Sequence, residues 1–393
     1  MPNSEQLLLV GSIPLDTPKD VFETFGAPLG RFLSALPDGE VGPRSHWISR
    51  LHYQVFAGHA EFEILARPRP DNGVERLFPH DNSDRWQFKV RDGVERVRFG
   101  DPGWRLGFAR DAVNSYFVFQ TLKEKGVLPH HLRFQVSMPM VNSALPPRVF
   151  PVAGDLDKIK PGFEAALRSE VAKIVEKIPG KDLAIQWDCS HEVQDVYGAV
   201  PQMPRAALAS EASGQRGDSI ARAHCASKDA RERSDDTRPE PGSTAREGAI
   251  ERNVAQVRNL SPHIPEDVAL GYHLCFGTLG GWPRFQPATL RETIALANAM
   301  LDASGRRVDW IHIPLLDTTD EAFFAPLREL RPRSTRVYLG AIHNMERFEQ
   351  RVAMARKYLP EFGLAAYCGF GRNPVSELPG ILEDHLKAAQ TAG

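Results

Sequence analysis

The sequence predicts an α/β protein folded as a (β/α)8 TIM barrel, with residues 1–393 forming one domain, and two observations carry that expectation. Eight short apolar runs rich in β-branched residues alternate with longer stretches of helical periodicity. A parallel sheet wrapped in helices requires that alternation. At 393 residues the chain is also long enough to close such a barrel around a large core. A doubly wound sheet would share the alternation and remains the other arrangement open at this point.

The predicted strands are LLLVGSI (7–13), FLSALPDG (32–39), LRFQVSM (132–138), LAIQWD (183–188), VALGYHLC (268–275), VDWIHI (308–313), TRVYLGAI (335–342) and GLAAYC (363–368). Helices are expected at 103–125, 155–178, 244–259, 286–303, 320–330, 345–358 and 375–390. In the 345–358 stretch, Phe348, Val352 and Ala355 fall on one face with charges opposite. Two segments break the pattern. Residues 42–102 are too long for one βα unit, and RWQFKVRDGVERVRFGD within them reads as a β-hairpin about Asp92-Gly93. This segment is expected to be an excursion from the barrel, a lid. Residues 205–247 are rich in Ser, Arg, Asp, Gly and Pro. They have too little apolar surface to offset their ordering entropy, and read as a disordered insertion.

Composition narrows the functional classes. Hydrophobic residues make up 42% and charged residues 25%, and the net charge is −2. No basic footprint points to nucleic acid or to an anionic membrane surface. No apolar run is long enough to span a bilayer, and MPNSEQLLLVGSIP lacks the basic start of a signal peptide. Four cysteines (Cys189, Cys225, Cys275 and Cys368) make no disulfide framework in a chain of this length. A cytoplasmic protein is expected.

Barrel active sites sit at the C-terminal ends of the strands, so chemistry is sought there. In GYHLCFGTLGGW (271–282), His273 and Cys275 are two apart on a strand and project to one side, just before a glycine-rich turn. An imidazole nitrogen and a thiolate in that arrangement can form two corners of a zinc tetrahedron, or they can simply be core residues. Cys368 ends the last predicted strand in the same way, and His312 and His343 end two others. Three protein ligands would leave zinc an open position, as in catalytic sites. Polar groups at the same depth are Gly11 and Ser12, Asp38 and Glu40, Asp188, and His191 with Glu192. Trp47, Trp187, Phe276, Trp282 and Trp310 are candidates for an aromatic wall.

These motifs, VGSIP, IQWD, H-x-C, GAIHN and a final YCGF, in that order, resemble the catalytic barrel of the cobalamin-independent methionine synthases. More broadly they are similar to the uroporphyrinogen decarboxylase/methionine synthase-like superfamily. The resemblance implies zinc on His273, Cys275 and Cys368. It implies Gly11 and Ser12 against the backbone of an amino-acid thiol, Asp188 on its amino group, and His343 in proton delivery. The implied chemistry is alkyl transfer to a zinc-held thiolate. The methyl donor would be a folate or a corrinoid, the latter on a partner protein. The chain departs from that pattern where a ligating glutamate is expected: Ile313-Pro314 stand there, with His312 beside them.

The leading expectation is therefore a zinc-dependent methyl or alkyl transferase acting on a thiol, with a substrate other than that of the methionine synthases. His312 would be a fourth, displaceable ligand or a proton donor. Asp188, Ser12, Asp38, Glu40, Trp47, His191 and Trp282 would position the substrate. A lyase, decarboxylase or ether-cleaving demethylase of a bulky aromatic substrate is the second expectation, and a non-catalytic zinc- or ligand-binding barrel the third.

Overall fold

The computed structural model describes residues 6–79, 84–100, 106–199, 243–278 and 281–391. Eight of its strands form one parallel sheet: β1 (Leu7–Leu8), β2 (Ala35–Pro37), β5 (Arg133–Pro139), β6 (Leu183–Cys189), β7 (Ala269–Leu274), β8 (Trp310–Pro314), β9 (Arg336–Gly340) and β10 (Gly363–Ala365). Their order is β1-β10-β9-β8-β7-β6-β5-β2. A parallel bridge from Leu7 to Leu33, just before β2, brings the two ends together. The sheet is thus a nearly closed barrel, and every one of its strands overlaps one of the eight predicted runs.

Strand alternation sorts the side chains. On β6 the odd positions, including Ile185, Trp187 and Cys189, point outward into the core shared with the helices. The even positions point inward, where Ala184 joins Leu8, Val10, Ala35, Ala269, Trp310, Tyr338 and Ala365 in a second, smaller core inside the barrel. Gln186 and Asp188 continue that inward row, as Gly271 and His273 do on β7 and His312 does on β8. Register then fixes their neighbours: Gln186, Gly271 and Trp310 are level across three strands, and Asp188, His273 and His312 are level one layer higher. Gly271 has to be glycine. A Cβ there would lie 1.9 Å from Cε2 of Trp310, whose ring covers it and donates through Nε1 to Gln186 Oε1 at 3.2 Å. The barrel is plugged below the histidines by this indole.

The long helices Phe108–Glu124, Asp155–Lys177, Ser243–Leu260, Arg291–Ala303, Phe348–Arg356 and Leu378–Thr391 agree with the periodicity. The 42–102 stretch differs from expectation in its pairing. A two-stranded antiparallel sheet forms, but between β3 (Phe62–Ala66) and β4 (Gln87–Val90), not across Asp92-Gly93. The chain does turn there, with Val94 N donating to Arg91 O at 3.2 Å. The run beyond the turn pairs instead with the helix Asp155–Lys177: Val97 N donates to Lys158 O at 3.0 Å. Val97 and Phe99 are fully buried or nearly so, and the Val97 carbonyl occupies the place a Cβ of Gly162 would take. Burial of Val97 and Phe99 against the helix outweighs a local hairpin ladder. Of the predicted 205–247 insertion, 205–242 lie outside the described residues, and 243–247 begin the helix Ser243–Leu260. No helix among the described residues is long and apolar enough to cross a membrane.

Candidate metal centre and cavity

Strand geometry delivers His273 to the top of the barrel, and the chain continues two residues to Cys275. Cys368 arrives from the other direction, three residues past β10. Its loop can approach because Gly369 and Gly371 have no side chains: a Cβ on Gly369 would lie 2.6 Å from Ser12 N. Phe370 N donates to Ser12 O at 2.5 Å and closes the contact. The result is convergence. Ligand atoms of His273, Cys275 and Cys368 lie within 4.8 Å of one another, with Cys368 Sγ 3.6 Å from both Cys275 Sγ and His273 Nε2.

His312, the register partner of His273, determines which imidazole nitrogen faces the sulfurs. Its Nε2 is 3.0 Å from the Ala366 carbonyl, which only accepts, and the proton is assigned to that nitrogen. Its Nδ1 is then an acceptor, and His273 Nδ1 donates to it across 2.8 Å. His273 Nε2 is left as a lone pair directed toward Cys368. This tautomer suits a metal ligand, and it is set by a buried neighbour. Both rings are buried, His273 at 3% exposure and His312 at 0%. The structure therefore places His312 behind His273 rather than beside the sulfurs. Cys368 is pushed well above the usual thiol range, first by its neighbour Cys275 and then by burial. Two adjacent thiols held this way need a cation to become thiolates together.

A cavity of about 100 Å³, open to solvent, lies against the trio. Its lining includes Gly11, Ser12, Glu40, Trp47, Asp188 and His191 together with His273, Cys275 and Cys368. Glu40 has φ +50°, uncommon for a residue with a side chain. The turn is held by Asp38, which accepts from Glu40 N at 2.9 Å and pairs with Arg44 at 2.8 Å. Asp38 thus positions Glu40 and lines a smaller neighbouring cavity. Ser12 Oγ donates to the Glu40 carboxylate. Burial raises the Glu40 pKa to about 7 and that of Asp188 well above its ordinary value, with Glu40 adding to the second shift. Asp188 receives Gln186 Nε2 at 2.8 Å.

The remaining sequence candidates stand apart. His343 donates through Nε2 to Leu315 O at 2.8 Å and sits edge-on to Tyr367. Burial drives its pKa down to about 4. Trp282 stacks on Tyr367 with centroids 4.4 Å apart. Neither His343 nor Trp282 lines the cavity. Trp187 packs into the outer core and Trp310 plugs the barrel, which leaves Trp47 as the lining tryptophan. The sequence reading missed Arg148 and Arg284, which also line the cavity. An arginine inside the apolar run LPPRVFP was the available signal. It missed as well the role of Glu192, whose carboxylate takes Ser143 N at 3.0 Å and Ser143 Oγ at 2.5 Å. Ser143 Oγ in turn accepts from Ser190 N and His191 N, so Glu192 ties the loop after β5 to the loop after β6.

Fold and site together describe a nearly closed α/β barrel with a His-Cys-Cys trio at the C-terminal ends of its strands. No family model and no curated protein matches the sequence. Among solved structures, a B12-independent methionine synthase from Shewanella sp. W3-18-1, in complex with selenomethionine, matches with a TM-score of 0.52. The match is 12% identical and covers 91% of this chain and 82% of that one. A putative vitamin-B12 independent methionine synthase from Listeria monocytogenes matches with a TM-score of 0.42 at 13% identity, covering 78% of this chain and 73% of that one; it adds nothing further. At such identity the likeness establishes the shared barrel fold.

Proposed function

We propose that this protein transfers a methyl or other alkyl group to a thiol substrate, using zinc held by His273, Cys275 and Cys368. The observation that carries this reading is the convergence of those three donors, one of them a histidine with its lone pair turned to the sulfurs, at the wall of an open cavity. Three protein donors leave a metal able to accept a further ligand. When bound, zinc would supply Lewis acidity that keeps an acceptor thiol as thiolate near neutral pH.

The rest of the chemistry belongs to the chain. Two buried acids in one cavity, Glu40 and Asp188, share a space that a substrate ammonium group would neutralise, relieving the cost both show as raised pKa values. Ser12 orients the Glu40 carboxylate, and Gln186 orients Asp188. An amino-acid-like thiol is the acceptor class these groups favour. Folate and corrinoid methyl donors, the latter on a partner protein, both remain compatible with the open cavity mouth. The lyase expectation rested on several tryptophans and on the 42–102 excursion; Trp187, Trp282 and Trp310 lie away from the cavity lining, while the excursion contributes His46, Trp47 and His52 to it.

Metal analysis of the purified protein tests the reading. Zinc should be present and should be lost in Cys275→Ser and Cys368→Ser, and a thiol should enter the coordination sphere of the Co2+-substituted protein. An unaltered zinc stoichiometry in both variants would overturn it.

A further inference from the structure

We propose that the cavity beside the cysteines contains an anion subsite, in which the guanidinium groups of Arg148 and Arg284 hold a carboxylate or phosphate of a bound substrate. The inference rests on the reading above for the identity of the cavity as the reaction chamber, and it adds a substrate class to it.

Arg148 stands on the loop after β5 and Arg284 on the loop after β7, and both line the cavity that Cys275 and Cys368 share. The Arg284 stem lies across Gly277, where a Cβ would be 3.2 Å from Arg284 Cβ. That glycine is two residues beyond Cys275 and donates its N–H to Cys275 Sγ at 3.3 Å. Arg284 is therefore tied to the strand end that carries the candidate ligand.

A half-buried arginine ordinarily has a carboxylate partner. Arg44 has Asp38 at 2.8 Å, and Arg351 has Asp317 at 2.8 Å. Arg148 instead donates Nη1 to Nε2 of His191 at 2.6 Å, a neutral imidazole that supplies no charge. Burial drives His191 well below the usual histidine range, with Arg148 and Arg284 adding to the shift, so it stays an acceptor. Burial also lowers Arg148 to about 9, and its further perturbers, Arg284 and Arg85, are cations. Arg284 is lowered by burial and by Arg85. Among the described residues neither side chain is in an ion pair. The acids of the same cavity, Glu40 and Asp188, are bonded to Ser12 and Gln186 instead, and two guanidinium groups with no carboxylate in contact are an unfavourable arrangement that an anion relieves. Their forked donors match a carboxylate or phosphate bidentately.

The test uses the full chain loaded with Co2+ and two series of thiols, short ω-mercaptocarboxylates and the mercaptoalcohols of matching length. Cobalt–thiolate absorption reads sulfur at the metal. Calorimetric titration with inorganic phosphate reads the subsite without any thiol. The carboxylates should bind about 10- to 100-fold more tightly than the alcohols, the loss expected for a charged hydrogen-bonded partner. Arg148→Gln and Arg284→Gln should each erase that preference while leaving alcohol binding unchanged. Should Arg148→Gln fail to fold, Arg148→Lys and Arg284→Gln carry the comparison. Phosphate binding that depends on Arg148 without competing with thiols supports the subsite and puts the anion on the second substrate. Thiols that reach cobalt without regard to charge, together with phosphate binding unaffected by both variants, overturn the subsite and leave the thiol reading standing. No thiol on cobalt, with arginine-dependent phosphate binding, overturns the thiol reading and leaves the subsite standing.

Discussion

Replacing His312 with phenylalanine separates what holds the candidate metal from what orients its ligand. The ring is fully buried, and phenylalanine nearly conserves its volume, so the change removes two hydrogen bonds without opening a cavity. His273 Nδ1–H loses its acceptor at 2.8 Å, and the Ala366 carbonyl loses its donor at 3.0 Å. A buried polar group left unsatisfied costs about 1–3 kcal/mol, so the metal-free protein should lose about that much per group. The metal effect is separate. Without an acceptor behind it, His273 no longer has its proton fixed on Nδ1, and its ring orientation is no longer locked. Loss of such an outer partner typically weakens metal affinity about 10- to 100-fold, or about 1.4–2.7 kcal/mol. Competition with a chromophoric chelator measures the zinc Kd, and circular dichroism confirms that the variant is folded. His312→Asn, which keeps an acceptor oxygen, should recover part of the affinity. A folded His312→Phe variant that binds zinc as tightly as the parent would refute the relay.

Further predictions concern other layers of the site. Glu192 ionises in the folded state only near pH 7, because burial raises it from 4.5. Its contribution to stability is therefore fully present below about pH 4.5 and is lost as pH rises through 7, a change of about 3 kcal/mol. In Glu192→Gln that part of the slope should vanish from urea unfolding midpoints taken between about pH 5 and 8; an unchanged slope would show that another group carries it. Gly271→Ala forces the methyl into the Trp310 ring and should lower stability by about 1–3 kcal/mol or more. It should also loosen zinc, since Gly271 precedes His273 on the same inward row; thermal melts and the chelator assay read both effects. Glu40→Gln keeps the Ser12 contact and removes one acid facing the cavity. Under the proposed function it should raise KM for an amino-bearing thiol about 10-fold while sparing the matching thiol without the amine, a split visible in steady-state kinetics.

How much of this was legible in the sequence follows from the range of the interactions involved. Strand runs such as LAIQWD and VALGYHLC carry their own period of two, so the sequence could show that Asp188 shares a face with Gln186, and His273 with Cys275. Once eight such runs close into a barrel, every inward row meets at one end. For that reason residues as distant as Cys275 and Cys368 could be paired on paper. Register is a different kind of information. Whether His312 stands beside the sulfurs or behind His273 depends on the level at which β8 meets β7. That level is set by the Trp310 ring lying on Gly271, a contact between residues 39 apart that no local pattern announces. The hairpin expectation failed for a related reason: Asp92-Gly93 does turn the chain, but the run after it packs on the helix at Gly162 and not on the strand before it. The arginines were illegible in another way. An arginine in sequence is presumed to be solvated or paired, and Arg148 became informative only when its neighbours proved to be His191 and another arginine. What periodicity can fix is which side chains reach the open end of the barrel; what they face there, and so which substrate charge the cavity would take, is decided by loops whose course the pattern does not contain.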